Sequence, residues 1–352
     1  MNEDAFCYNN LSALFERAPT HRLDDRDQYV IFSDLHMGNG GHSDDFAHNA
    51  DLFNSVLRRH YLRCGFSLIL NGDVEELQRF PVSAVEERWA PVYELFAEFR
   101  DGPGLHWLIG NHDKRRLHHP HPGFPAEEAL VFDYGSDLLF IFHGHQSMAA
   151  YEKHNAWVGF VLKYIATPLR IKNYEVSHNS AKRFRTEKRV YDFATSKRVL
   201  AVIGHTHRPL FESMSKLDSV KFEVERLCRK YPKADAPKRR RIESKIATFK
   251  EELRRMLDQD HDAADKSSLY SENLVVPSVF NSGSVLGKRG VTALEIDHGK
   301  IRLVHWFDAT RSKRYLQYRD YRTDRLDDTD YHRVVIKSDS LSYVLSRIKL
   351  LA

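Results

Sequence analysis

Residues 28–36 read Gln28-Tyr29-Val30-Ile31-Phe32-Ser33-Asp34-Leu35-His36, a short β-branched and aromatic run that breaks at once into a hydroxyl, a carboxylate and an imidazole. A run of that length and composition predicts a buried strand. Four more runs end the same way. Ser67 to Leu70 leads into Asn71-Gly72-Asp73, Leu105 to Ile109 into Gly110-Asn111-His112-Asp113, Leu138 to Phe142 into His143-Gly144-His145, and Arg198 to Ile203 into Gly204-His205-Thr206-His207. Helical patterns over roughly 44–64 and 82–99 separate the first three, so the chain opens β-α-β-α-β with parallel strands. Loops at the carboxyl ends of such strands gather on one sheet edge, where ligands bind. Separate short motifs are therefore expected to converge.

The residues gathered there are Asp34, His36, Asp73, Asn111, His143, His205 and His207. Each alone has a bland reading, since an Asp after a strand often caps the next helix and a single His is usually a satisfied core or surface group. Together, as imidazoles, carboxylates and one amide without thiolate, they suit borderline-hard divalent metals such as manganese, iron, zinc or cobalt. Seven ligands exceed one tetrahedral ion, whereas two ions sharing a carboxylate would have about four protein ligands each. Asp73, which follows the central strand, is the expected bridge.

Composition agrees with an ordinary folded protein. Over 352 residues, 53 Lys plus Arg oppose 49 Asp plus Glu for a net charge of +4, and 42% hydrophobic with 29% charged residues are globular values that exclude wholesale disorder. Length permits two domains, but one α/β domain with insertions is the reading adopted. No apolar run approaches the roughly 18 residues of a membrane span, and the opening Met1 to Asn10 lacks a basic segment followed by an apolar one, so a cytoplasmic protein is expected. Cys7, Cys64 and Cys228 are too few and too scattered for a disulfide framework or a thiolate site.

In order, Asp34-x-His36, Gly72-Asp73, Gly110-Asn111-His112-Asp113, His143 and Gly204-His205-x-His207 resemble the motifs of calcineurin-like metallophosphoesterases. The resemblance covers residues 28–307 and implies a four-layer αββα sandwich with two metal ions, manganese by preference, at its edge. It implies Asp34, His36 and His207 on the first ion, Asn111, His143 and His205 on the second, and Asp73 on both. It also places His112 at the phosphoryl group as general acid or charge stabiliser, with Asp113 either orienting its ring or capping the next helix. His145 is expected to support a ligand or face solvent. Gly-Asp-Val-Glu-Glu at 72–76 lacks the Asp-Arg-Gly of phosphoprotein phosphatases, which argues against protein dephosphorylation. Ser-Asp-Leu-His, the helical and basic segment before His205 and the closing His-Thr-His-Arg-Pro are similar to UDP-2,3-diacylglucosamine hydrolases, although that branch usually carries Arg at the position of His112.

Residues 1–27 read as an N-terminal extension and 146–196 as a helical cap, with an apolar run, Trp157 to Ile165, followed by cations. That combination suits a substrate with a greasy part and a phosphate, or a peripheral membrane contact. Arg170, Lys172, Arg183, Arg185 and, beside the last motif, Arg208 are the candidate substrate cations. Within 212–271, Leu217, Val220, Val224, Leu227 and Tyr231 recur at three and four, as do Ile242, Ile246, Phe249, Leu253 and Met256, with Pro232 to Pro237 between them. This predicts an inserted antiparallel helical hairpin of coiled-coil type. Lys238 to Arg241 beside its tip fits anionic lipid, nucleic acid, a protein partner or plain solvation. The tail, 308–352, is charged until Leu341, Val344, Leu345, Ile348 and Leu351 share one helical face, which suits self-docking, self-association or a membrane interface.

The function expected is metal-dependent hydrolysis of a pyrophosphate or phosphodiester in a nucleotide-linked or lipid-linked substrate. Two rivals stand beside it. A nuclease or nucleotide phosphodiesterase is permitted by the basic run but weakly supported by a charge of +4. A non-enzymatic scaffold using the hairpin as its arm is disfavoured by the complete ligand set.

Overall fold

The computed structural model describes residues 3–148, 180–213, 220, 224, 227–228, 230–258, 276–317 and 321–352. The larger sheet is built from β2 (Gln28–Phe32), β3 (Ser67–Asn71), β4 (Leu105–Leu108), β5 (Ala126–Glu127), β10 (Val291–Asp297), β11 (Lys300–Asp308), β12 (Thr323–Arg325) and β13 (Tyr331–Ser340). The smaller holds β1 (Thr20–Arg22), β6 (Ala129–Tyr134), β7 (Asp137–Phe142), β8 (Leu200–Ile203) and β9 (Val279–Asn281). Their spatial orders are β12-β13-β11-β10-β2-β3-β4-β5 and β1-β6-β7-β8-β9. Strands β2 to β5 run parallel, as do β7, β8 and β9, so each sheet offers a row of carboxyl ends.

Alternation along the strands assigns every apolar run to two faces, which explains why the runs are continuous rather than patterned. Ile31, Ile69, Leu108 and Leu294 of the larger sheet meet Leu130, Phe132, Leu139, Ile141, Leu200 and Val202 of the smaller in one buried cluster. On the outer face of the larger sheet, Val30, Phe32, Leu68 and Leu70 pack under α2 (Ala50–Val56), its π-helical continuation Leu57–Leu62, and α3 (Val82–Asp101). On the outer face of the smaller, Phe140, Phe142, Ala201 and Ile203 pack under α1 (Glu3–Arg17) and α4 (Ser180–Lys197). The layers are αββα.

Several boundaries differ from the sequence expectation. The first crossover helix begins at Ala50 rather than 44, because the Asp44 carboxylate accepts the amides of Gly40 (2.7 Å) and Phe46 (3.0 Å) and holds a loop there. Residues 1–27 include α1, whose Leu11 and Leu14 belong to a core cluster rather than to a loose extension. The charged tail contains β13, which pairs with β11 over its whole length, so the sheet continues past 308. The last apolar face forms α6 (Leu341–Leu351), and Leu341, Val344, Leu345 and Ile348 close the end of the inter-sheet core.

Within the expected cap, Trp157 to Ile165, Arg170 and Lys172 lie outside the described residues. Of the expected hairpin, α5 (Ala236–Asp258) is described, started by Asp235 Oδ1 accepting the Lys238 amide at 3.0 Å. Val220, Leu227 and Ile242 are buried, whereas Leu217 lies outside the described residues. Among the described residues no helix is long and apolar enough to cross a membrane. The three cysteines are free, with Cys7 buried and the other two exposed.

Candidate metal centre

The carboxyl ends of β2, β3, β4, β7 and β8 deliver Asp34 and His36, Asp73, Asn111 and His112, His143, and His205 and His207 to one edge. Five of these turn the backbone into the left-handed region, with φ of 55° at Asp34, 50° at His36, 51° at Asp73, 62° at His205 and 53° at His207. Each such non-glycine position costs about 1–3 kcal/mol and persists only where the surroundings dictate it. Here they do. The Asp34 amide donates to Gly72 O (3.0 Å) and the His36 amide to Asp73 O (2.9 Å), while the His205 amide donates to Asp34 Oδ2 (3.0 Å). Gly72 (φ +81°) admits the His143 ring where a Cβ would sit 2.5 Å from it, and a Cβ on Gly110 would fall onto the Asp73 carboxylate. The motif glycines are therefore required by close approach.

Among the described residues the donor atoms form two groups of expected ligands, Asp34 with His36 and His207, and Asp73 with His143 and His205, and a third of His36 with Glu76 and His112, each within 4.8 Å. In the first, Asp34 Oδ1 lies 3.0 Å from His207 Nε2 and 4.0 Å from His36 Nε2. In the second, Asp73 Oδ2 lies 3.1 Å from His143 Nε2, and the same oxygen is 3.7 Å from His36 Nε2 of the first group. Asp73 thus faces both. Asp34 Oδ1, His143 Nε2 and both side-chain polar atoms of Asn111 are buried without a hydrogen bond. Asp34 Oδ1 and His143 Nε2 lie 3.9 Å apart without a hydrogen bond, as ligands directed at a common point do. Leaving such groups unmet costs about 1–3 kcal/mol each, more for charged ones. A nitrogen and oxygen set without thiolate fits divalent cations.

Charge is arranged accordingly. Burial raises the Asp73 carboxyl, but the neighbouring His143, His112 and His36 rings overcome it and hold the group well below its usual range. Asp34 is lowered in the same way, against burial, chiefly by His207 and His143. Against the opposing effect of burial, Asp73 and Asp34 push His143 up to about 9. Burial and the adjacent His143 push His205 down to about 3. His145 is fully buried beside them and driven well below its ordinary value by burial and by the two rings, so it is part of the wall and not a solvent-facing group.

His112 is oriented by Glu76 and not by Asp113. Glu76 Oε1 lies 2.8 Å from His112 Nδ1, and Glu76 Oε2 lies 3.1 Å from His36 Nδ1. Burial raises the Glu76 carboxyl, but His112 and His36 hold it below its usual range. An ionised carboxylate only accepts, so both Nδ1 atoms carry the proton and both Nε2 atoms face the centre. His112 Nε2 is 4.0 Å from Asp73 Oδ2. The Asp113 carboxylate instead accepts the amides of Gly110 (2.6 Å) and Val74 (2.8 Å), tying the second and third motif loops together. It makes no side-chain bond to the helical turn that follows. The available signal for Glu76 was the doubled acid in Gly-Asp-Val-Glu-Glu.

No family model and no curated protein matches the chain. Among solved structures it is similar to a Vps29 single mutant from Entamoeba histolytica, with 10% identity, a TM-score of 0.35, and 81% of this chain and 94% of that one covered. It is also similar to Yfce, a phosphoesterase from E. coli, with 13% identity, a TM-score of 0.36, and 89% and 99% covered. Likeness of that extent carries no argument about this centre, whose reading rests on its own residues.

The candidate substrate cations are dispersed. Arg208 grips the buried Glu187 of α4 through Nε (3.1 Å) and through a second, shorter contact, and Thr206 Oγ1 donates to the same carboxylate at 2.9 Å. Arg208 thereby fixes the loop between His205 and His207. Its guanidinium is held by Glu187 with 31% of the side chain exposed. Arg185 is exposed and Arg183 half-buried on α4.

Proposed function

We propose that this chain is a metal-dependent phosphoesterase using two divalent ions. The observation that carries the reading is the meeting of two buried donor groups at Asp73, with Asp34 Oδ1, His143 Nε2 and Asn111 left without hydrogen bonds. Asp34, His36, His207 and Asp73 would hold one ion, and Asp73, Asn111, His143 and His205 the other. Such ions neutralise phosphoryl oxygens and make hydroxide available near neutral pH. The chain's own residues do the rest. Glu76 holds the Nδ1 proton of His112, so the ring would act as an acid in its doubly protonated form, passing the second proton from Nε2 to the departing oxygen and keeping the first on Nδ1. His207, with its side chain 16% exposed against 3% or less for Asp34, His36 and His143, marks the side on which substrate enters.

The substrate proposed is a pyrophosphate or phosphodiester, with UDP-2,3-diacylglucosamine first to be tried. Support comes from the Ser33-Asp34-Leu35-His36 opening, the His205-Thr206-His207-Arg208-Pro209 close and the apolar and basic composition of 146–196. The test is UMP release with manganese present. Release that disappears with a chelator supports the whole proposal. Cleavage of an aryl phosphodiester without UMP release keeps the chemistry and removes that substrate. Failure to cleave phosphodiesters, phosphomonoesters and pyrophosphates removes the reading.

A further inference from the structure

Behind the centre lies an ion pair that touches none of the donor atoms. Arg116 sits on the short helical turn Lys114–Leu117 that continues the Asn111-His112 loop, and its Nε and Nη2 donate to Glu75 Oε2 (2.7 Å) and Oε1 (2.5 Å). Glu75 lies between Asp73 and Glu76 in their loop. The pair is closed on every side. Tyr93 of α3 donates its hydroxyl to Glu75, Glu86 accepts from Arg116 Nη2 at 2.8 Å, and the His121 ring stacks on Tyr93 at 5.3 Å and 9°. Glu75 is 0%, Arg116 4% and Tyr93 7% exposed, so the pair is not a solvated surface contact.

Its place among the motif loops says what it does. The loops of β2 and β3 are joined by backbone bonds, Asp34 N to Gly72 O, His36 N to Asp73 O, Met37 N to Val74 O and Glu76 N to Met37 O, so they behave as one body. The β4 loop is tied to that body by side chains. His112 N donates to Asp73 Oδ1, Val74 N to Asp113 Oδ2, and Gln78 Nε2 to Asn111 O. Arg116 with Glu75 is the charged, two-bonded member of this set, and a planar guanidinium fixes both the distance and the mutual orientation of the two loops. Asp34, His36 and His207 are not carried by the β4 loop, whereas Asn111 is.

We propose that Arg116 and Glu75 are positioning residues that set the spacing between the Asp73 loop and the Asn111-His112 loop, and so govern affinity for the second ion selectively. This rests on the two-ion reading above. Removing one charge alone leaves the other buried and unpaired, which unfolds proteins for an uninformative reason. The test therefore uses the neutral double variant Glu75→Gln with Arg116→Met, and Arg116→Lys, which keeps the charge but not the fork. Tyr93→Phe removes one hydroxyl and no charge, and Glu86→Gln touches only the outer side of Arg116.

Each protein is titrated with Mn2+ by calorimetry, with electron paramagnetic resonance separating single from spin-coupled ions. Wild type is expected to take up two ions. The double variant and Arg116→Lys should weaken the second by about 10- to 100-fold, as loss of groups that orient metal ligands does, with the first within threefold. Tyr93→Phe should shift the second ion in the same direction by a smaller factor, and Glu86→Gln neither. Should the double variant and Arg116→Lys fail to fold, Tyr93→Phe decides: an unchanged second ion overturns the proposal. Two ions bound with unchanged constants by the folded variants, or both constants falling together with the melting temperature, also overturn it. A wild type that takes up fewer than two ions removes the underlying reading instead.

Discussion

The two ends of the sandwich solve opposite problems. At the carboxyl ends of β2, β3, β4, β7 and β8, five non-glycine residues sit in the left-handed region and several buried polar atoms go unmet. At the other end, Leu341 donates its amide to Gly299 O at 2.8 Å and α6 lowers Leu341, Val344, Leu345 and Ile348 onto Ile296 and Ile301. Those four leucine, valine and isoleucine side chains are 2% exposed or less. One end holds reactive geometry against local preference, and the other follows local preference to supply stability. Mutations at the two ends should therefore separate function from folding.

Asp73→Asn should show the largest functional effect, lowering turnover by roughly 10^3-fold or more through loss of several kcal/mol of charge stabilisation. Without metal the variant should stay folded but melt at a lower temperature, because the ionised Asp73 that His143, His112 and His36 hold below its usual range is lost. Parallel rate and thermal-melt measurements check both. Leu345→Ala, at the opposite end, should destabilise by about 2–5 kcal/mol in chemical denaturation while leaving metal stoichiometry unchanged. A loss of metal sites in that variant would break the comparison. Glu76→Gln lies between the extremes. It should lower kcat by roughly 10- to 100-fold with the fold retained, because His112 and His36 lose a charged partner and not their places.

The smallest step is a dependence on pH. His143 is raised from 6.5 to about 9 by Asp73 and Asp34 in the metal-free protein, against burial. Its charged form therefore contributes stability that is fully present below 6.5 and is lost as pH rises through about 9. Metal must displace that proton, so apparent metal affinity should move oppositely, rising by about tenfold per pH unit below that value. Calorimetric titrations at pH 7 and 8 check the sign. Equal affinity at the two pH values would show that His143 is not protonated before metal binds.

The same contrast explains what was legible in the sequence. Strand-end motifs announce themselves because each couples a buried apolar run to a polar ligand within two or three residues, as Phe32-Ser33-Asp34 does. The apolar face of α6 was equally plain, although only packing could choose its own domain among the surfaces available. Strand β13 was hidden, since Val334 alone among its ten residues is fully buried and its charges mask the alternation. Glu76 and Asp113 were interchangeable acids beside a histidine, and only the path of the backbone shows that one reaches the His112 ring and the other the amides of Gly110 and Val74. The pairing of Arg208 with Glu187 was hidden because the two are remote in sequence.

The central claim is that two groups of ligands share Asp73. The most direct test is to load the purified protein with Mn2+, count the ions per chain and locate them by anomalous diffraction. Two ions, one beside Asp34, His36 and His207 and one beside Asn111, His143 and His205, with Asp73 touching both, is the predicted result. A single ion, or none at this edge, would contradict it.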